Sequence, residues 1–169
     1  LHLSIRRQRQ MCIRDRSTVG AALSVHLSRS FLDTDALIVE KSGKSITDIF
    51  VVEGEAAFRA LEFETLAEVL LKDDVVVSLG GGAPVSEAAQ EAISRSGSQV
   101  VFLDVSLATA APRVGFNRDR PLLLGNPRAQ WQSLSDKRRP IYEKLANITI
   151  KVDEMEVSAI VEQIAKGVL

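Results

Sequence analysis

Residues 75–82 read VVVSLGGG, an unalternating β-branched run that stops on three glycines. A strand wet on one face alternates apolar and polar residues, so a run without alternation must be covered on both faces. FLD at 31–33 and VVFLDVS at 100–106 have the same character, and ITIKVD at 148–153 reads as a further strand. Helical patterns separate them. TVGAALSVHLSRS (18–30) places Val19, Ala22, Leu23, His26 and Leu27 on one face, and DALIVEKSG (35–43) runs to a glycine stop. Residues 45–74 read as one continuing helix with Phe58, Leu61, Leu66, Val69 and Leu70 as its stripe, and SEAAQEAISRSG as a helix capped by Ser86. RAQWQSLSDKRRPIYEKLAN and EVSAIVEQIAKGVL close the chain as helices, the latter with Val157, Ile160, Val161 and Ile164 on one side. Strands alternating with helices predict an α/β domain with a parallel sheet between helical layers. In such sheets ligands sit beyond the carboxyl ends of the strands, where Leu32-Asp33 and Leu79–Gly82 fall.

The bulk numbers narrow the function classes. The 169 residues suit one domain, and 46% apolar with 25% charged residues is an ordinary globular balance. A net charge of −1 recommends neither nucleic acid nor an anionic membrane as partner. No apolar run approaches spanning length. The lone Cys12 admits no internal disulfide, which fits a reducing cytoplasm. Residues 1–16 stand apart: five arginines against Asp15 give +4, leaving −5 over the remainder. RRQRQMCIRDR resembles translated sequencing-adapter strings. Residues 1–16 therefore read as a segment foreign to the domain at 17–169, the alternative being a native basic arm.

Ser17-Thr18-Val19-Gly20 looks like the start of a helix behind a phosphate loop, G-x-x-x-x-G-K-[ST]. In that loop glycines bring backbone N–H groups around phosphates, the lysine reaches the outer ones, and the hydroxyl binds Mg²⁺. Registered on Ser17, the pattern asks for glycine, glycine and lysine where Gln10, Asp15 and Arg16 stand. A carboxylate repels phosphate, and Arg does not replace Lys without a different geometry. As a phosphate motif the stretch is broken, and on its own it is a helix cap.

The other candidates each have a plain alternative. Asp33 and Asp35 in DTD suit a metal-bound water and a hydroxyl proton, or a cap and a surface acid. Gly80-Gly81-Gly82 suits close backbone approach to a ligand, or a simple turn. Arg59 at a stripe's edge, and Arg118 and Arg120 in NRDRPLLLGNP, read as solvated arginines or, for the loop, as a lid cation on a transferred phosphoryl group. Arg138 and Arg139 precede Pro140, where a guanidinium can clasp a carboxylate. Trp131 and Tyr142 read as packing residues, and His26 as a core or boundary histidine.

Their order is more specific than any one of them. STVG, FLDTDALI, GKSITDIFVVEGEAAFRALE, VVVSLGGG, NRDRPLL and RRPIYEKLA together resemble shikimate kinase from Ser17 to about Leu169. The resemblance implies a P-loop, NMP-kinase-like, three-layer α/β domain with five parallel strands, the first of them central. It implies transfer of the γ-phosphate of ATP to the 3-hydroxyl of shikimate, on the route to chorismate and the aromatic amino acids, by a cytoplasmic monomer. By matched position it makes Ser17 and Asp33 the Mg²⁺ residues and Asp35 the residue that binds the shikimate hydroxyls and takes the proton. Arg59 and Arg138, with Gly80, Gly81 and Gly82, hold the substrate carboxylate. Ser17, Thr18, Arg113 and Arg120 face ATP, Arg120 as the catalytic lid arginine. The first strand and phosphate loop are missing before Ser17, although LHLSI fills part of the gap, so the chain as written is expected to turn over negligibly. A non-catalytic homologue that binds a shikimate-like acid, and another small-metabolite kinase such as a gluconate kinase, are the competing readings.

Overall fold

The computed structural model describes residues 3–4, 15–106 and 127–168. In chain order they form β1 (Leu3–Ser4), α1 (Asp15–His26), β2 (Ser30–Asp33), α2 (Thr34–Ser42), α3 (Ile46–Asp48), a π-helical turn (Ile49–Glu53) and α4 (Gly54–Leu70). There follow β3 (Val75–Ser78), α5 (Glu87–Arg95), β4 (Val101–Asp104), α6 (Pro127–Leu145), β5 (Ile148–Lys151) and α7 (Val157–Val168). Residues 107–126, which include nearly all of the NRDRPLLLGNP loop, lie outside the described residues.

The strands named from the sequence form where their apolar runs stand, and β3 and β4 are buried at every position. β2 pairs with β3 in parallel, Ser30 opposite Val75 through Asp33 opposite Ser78, and β4 pairs with β5 in parallel. The main core fills the space between strands and helices, with Val76, Val77 and Leu79, Leu103 and Ile150, Leu23 of α1, Leu66 of α4 and Ile164 of α7 almost fully buried. A satellite core of Ile38, Ile49 and Phe58 sits under the turn ahead of α4.

Among the described residues, β3 and β4 share no ladder: the strands fall into a sheet ordered β1-β3-β2 and a separate β4-β5 pair. Among the described residues, the edge of β3 where the resemblance puts a central parallel strand carries only β1, which is two residues long and antiparallel. Leu3–Ser4 of LHLSI thus fills part of the gap, but in the opposite direction. Leu3 faces Ser78 and Ser4 faces Val77, so this piece leads away from the carboxyl ends of the strands, not toward them. A strand feeding a phosphate loop has to run the other way.

Three local expectations are corrected. The first helix begins at Asp15, two residues before Ser17, so Ser17 lies in its first turn and not at its cap. His26 is exposed, because α1 ends there and its apolar face is completed by Val19 and Leu23. The stretch from 45 to 74 is not one helix: Gly54 adopts φ 86 and ψ 169, which ends the π-helical turn and re-starts the chain as α4. Ser45 caps the first piece, and Gly43, at φ 65, closes α2 with its N–H on Val39 O.

Candidate active site

The tip of β2 fixes the first group. Asp33 stays extended and its Oδ1 accepts from the N–H groups of Asp35 (2.9 Å) and Ala36 (3.3 Å), capping α2. Its other oxygen, Oδ2, accepts from Ser17 Oγ at 2.5 Å, tying the first turn of α1 to β2. The chain turns at this cap, so Asp33 faces Ser17 while Asp35 lies beside Gly80 and Glu62. Thr18, in the same turn of α1 as Ser17, is exposed.

Thr34 joins the two strand tips. Fully buried, its Oγ1 accepts the Gly80 N–H at 2.9 Å and donates to Ser78 O at 3.2 Å. The glycine run then curls back on itself through Ala83 N–H to Gly80 O and Val85 N–H to Gly82 O, both 3.0 Å. Room is the reason for two of the glycines. A Cβ on Gly80 would lie 2.5 Å from Asp35 Oδ1 and 3.0 Å from Glu62 Oε1, and one on Gly82 would overlap Arg59 Nη1.

Arg59 reaches this loop from α4. Its Nη1 donates to Glu62 Oε2 at 2.7 Å and its Nη2 to Glu55 Oε1 at 3.1 Å, while the guanidinium carbon stands 5.3 Å from the Phe58 ring centre and 6.0 Å from that of Phe50. Burial pulls the Arg59 pKa down, but Glu62 and Glu55 outweigh it, and the guanidinium is held more firmly protonated than usual. Glu62 is the reverse case. Burial raises its carboxyl above the ordinary carboxylate range and the nearby Asp35 adds to this, against the opposing pull of Arg59 and Arg138.

Helix α6 supplies the far wall. Arg138 Nη1 donates to Gly81 O at 3.1 Å, and Tyr142, one turn further on, donates its Oη to the same carbonyl at 2.6 Å. The Tyr142 ring packs on Phe102 of β4, with centres 5.6 Å apart. Asp35, Arg59, Gly80–Gly82 and Arg138, drawn from α2, α4, the loop after β3 and α6, therefore come together around one backbone segment. Ser17 and Asp33 form a neighbouring pair. Arg113 and Arg120 lie outside the described residues.

Three participants were missed in the sequence. Thr34 stood inside DTD but has no charge to draw notice. Glu62 lies three residues after Arg59 and Tyr142 four after Arg138, both spacings that put side chains on one helical face and could have flagged them.

Residues 16–168 match the family described as shikimate kinase. The chain is 48% identical over 151 residues to shikimate kinase of Thermobifida fusca (strain YX), covering 89% of this chain and 87% of that protein. It is 40% identical over 150 residues to shikimate kinase of Rhodococcus jostii (strain RHA1), covering 88% of each. Among solved structures, shikimate kinase from Acinetobacter baumannii in complex with shikimate superposes with a TM-score of 0.84 at 33% identity, covering 88% of this chain and 83% of that one. These likenesses set the gluconate-kinase reading aside and carry the P-loop, NMP-kinase-like fold class with them. The chain belongs to the shikimate kinase family.

Proposed function

We propose that this chain keeps the acceptor half of a shikimate kinase site and, as written, has an impaired nucleotide half. The family transfers the γ-phosphate of ATP to the 3-hydroxyl of shikimate with Mg²⁺, in aromatic amino-acid biosynthesis. In this reading Arg59 and Arg138 grip the substrate carboxylate. Two charge-assisted forks from different helices fix a planar anion in orientation as well as in strength. Gly80–Gly82 let the ring approach the backbone, and Asp35 receives the hydroxyl proton. The observation that carries the reading is the convergence of Asp35, Arg59 and Arg138 on the glycine loop.

The residues fit Mg²⁺ and do not fit ATP phosphates. A hydroxyl and a carboxylate oxygen 2.5 Å apart, Ser17 Oγ and Asp33 Oδ2, are the hard-oxygen donors that Mg²⁺ takes alongside phosphate oxygens. Asp15, in contrast, is the first residue of α1. An acid at that position competes with phosphate for the positive end of the helix. Arg120, the proposed lid arginine, and Arg113 stand at matched positions in the sequence.

No helix among the described residues is long and apolar enough to cross a membrane. We further propose a cytoplasmic monomer without nucleic-acid partners: the lone Cys12 fits a reducing compartment, and net charge is near zero. Light scattering on the purified chain checks the monomer.

A coupled assay tests the main reading. The chain should release negligible ADP in the presence of ATP and shikimate, and robust shikimate-dependent release would overturn the impairment. A chain whose residues 1–16 are replaced by an apolar strand and a G-x-x-x-x-G-K run should phosphorylate shikimate. Phosphorylation of gluconate instead would end the substrate assignment.

A further inference from the structure

We propose that Arg139, through its fork to Asp104, is a positioning residue that sets helix α6 so that Arg138 meets the acceptor site. The inference rests on the reading of Arg138 as a substrate-carboxylate ligand. Arg139 donates from Nη1 to Asp104 Oδ1 at 2.8 Å and from Nη2 to Asp104 Oδ2 at 2.6 Å, a two-point contact that a single charge pair does not make. Asp104 is the last residue of β4, and its side chain is only 12% exposed. The remaining edge of the guanidinium donates from Nε to Glu143 at 2.8 Å, and its face lies 5.8 Å from the Phe102 ring centre.

The arrangement of the strands gives this fork its role. No ladder joins β3 to β4 among the described residues, so no direct backbone pairing among these sets the two tips in register. One turn of α6 spans the break. Consecutive helical residues point about 100° apart. Arg138 thus reaches Gly81 beyond β3 while Arg139 reaches Asp104 at the tip of β4, and Tyr142 touches both sides through Gly81 O and Phe102. Pro140, immediately after the pair, cannot donate the helical bond to the carbonyl four residues back, so this turn depends more on side-chain ties. A rigid fork at Arg139 fixes both the height and the rotation of the helix, and these determine where the Arg138 guanidinium sits.

A bland alternative is that the fork only fastens α6 and has no bearing on Arg138. A double-mutant cycle separates the two. The intact chain and the variants R138A, R139A and R138A/R139A are titrated with shikimate by ligand-observed NMR, which reads weak Kd values. The inference expects R139A to raise Kd roughly three- to tenfold, and R138A/R139A to bind no more weakly than R138A. An unchanged Kd for R139A, or single effects that multiply in the double variant, overturns it. Because R139A leaves Asp104 unpaired with little water, D104N/R139Q, which removes both charges together, carries the same expectation should R139A fail to fold. If the intact chain does not bind shikimate at all, the acceptor-site reading itself falls and takes this inference with it. If the intact chain binds and R138A weakens it while R139A does not, only the positioning role is lost.

Discussion

Thr34 and Gly80 are separated by 46 residues, yet Thr34 Oγ1 accepts the Gly80 N–H at 2.9 Å inside the protein. The same hydroxyl donates to Ser78 O, so one buried oxygen fastens the tip of β2 to the start of the glycine loop. Thr34→Val keeps the shape and removes both bonds, leaving a buried N–H without its partner. The expected loss is about 2 kcal/mol, roughly 4–8 °C in Tm for a chain of this size, with Thr34→Ser close to the parent. Thermal unfolding checks it, and an unchanged Tm for the valine variant would show that the loop does not rely on this hydroxyl.

The glycines should not be equivalent. A methyl on Gly80 would press on Asp35 Oδ1 at 2.5 Å, and one on Gly82 would overlap Arg59 Nη1, whereas one on Gly81 finds its nearest neighbour, Arg138 Nη1, at an ordinary 3.6 Å. Gly80→Ala and Gly82→Ala are expected to weaken shikimate binding by about tenfold or more, because each displaces a group assigned to the substrate. Gly81→Ala should stay within about threefold. Titration of the three variants decides, and equal losses at all three would mean that the loop acts through its flexibility and not through the room it leaves.

Glu62 makes stability depend on pH. Its carboxyl is raised above the ordinary 4.5 by burial first and by Asp35 in addition, with Arg59 and Arg138 opposing. The folded protein therefore holds this proton more tightly than the unfolded chain does. Stability from the protonated form is complete below about pH 4.5 and is lost as pH rises through the higher folded value. Glu62→Gln lacks that slope. Across pH 4 to 7 the Tm of the parent should fall relative to that of the glutamine variant, and parallel profiles would show that Glu62 titrates as an ordinary surface acid.

Asp33 uses its two oxygens for different purposes, and variants can separate them. Oδ1 caps α2 and Oδ2 holds Ser17. Asp33→Ala should cost about 1 kcal/mol for the cap plus the cross-link to α1, and Ser17→Ala only the latter. Asp33→Asn keeps a good cap. Denaturant unfolding should therefore order the variants with Asp33→Ala least stable, and a Ser17→Ala loss as large as that of Asp33→Ala would contradict the division.

Much of this molecule was present in the order of its residues. The unalternating runs at 75–78 and 101–104 form fully buried strands because β-branched and aromatic side chains without polar partners have nowhere else to go. Asp33 as a helix cap and Gly43 as a left-handed stop follow from local backbone chemistry. The broken pattern Gln10, Asp15 and Arg16 ahead of Ser17 was equally visible. The length of the helix before Arg59 was not, because its apolar stripe runs on through Gly54 while the backbone does not.

Sequence alone determined the alternation of strands and helices, the family likeness and the residues with suitable chemistry, because these depend on side-chain type and on spacings of a few residues. Tertiary structure alone decided that buried Glu62 lies beside Asp35, that Thr34 grips Gly80, that Arg139 forks onto Asp104, and that Leu3–Ser4 lies antiparallel beside β3. Each of these joins groups whose meeting depends on how elements pack, and hydrogen-bond distances and low local dielectric arise only once the chain has closed around them.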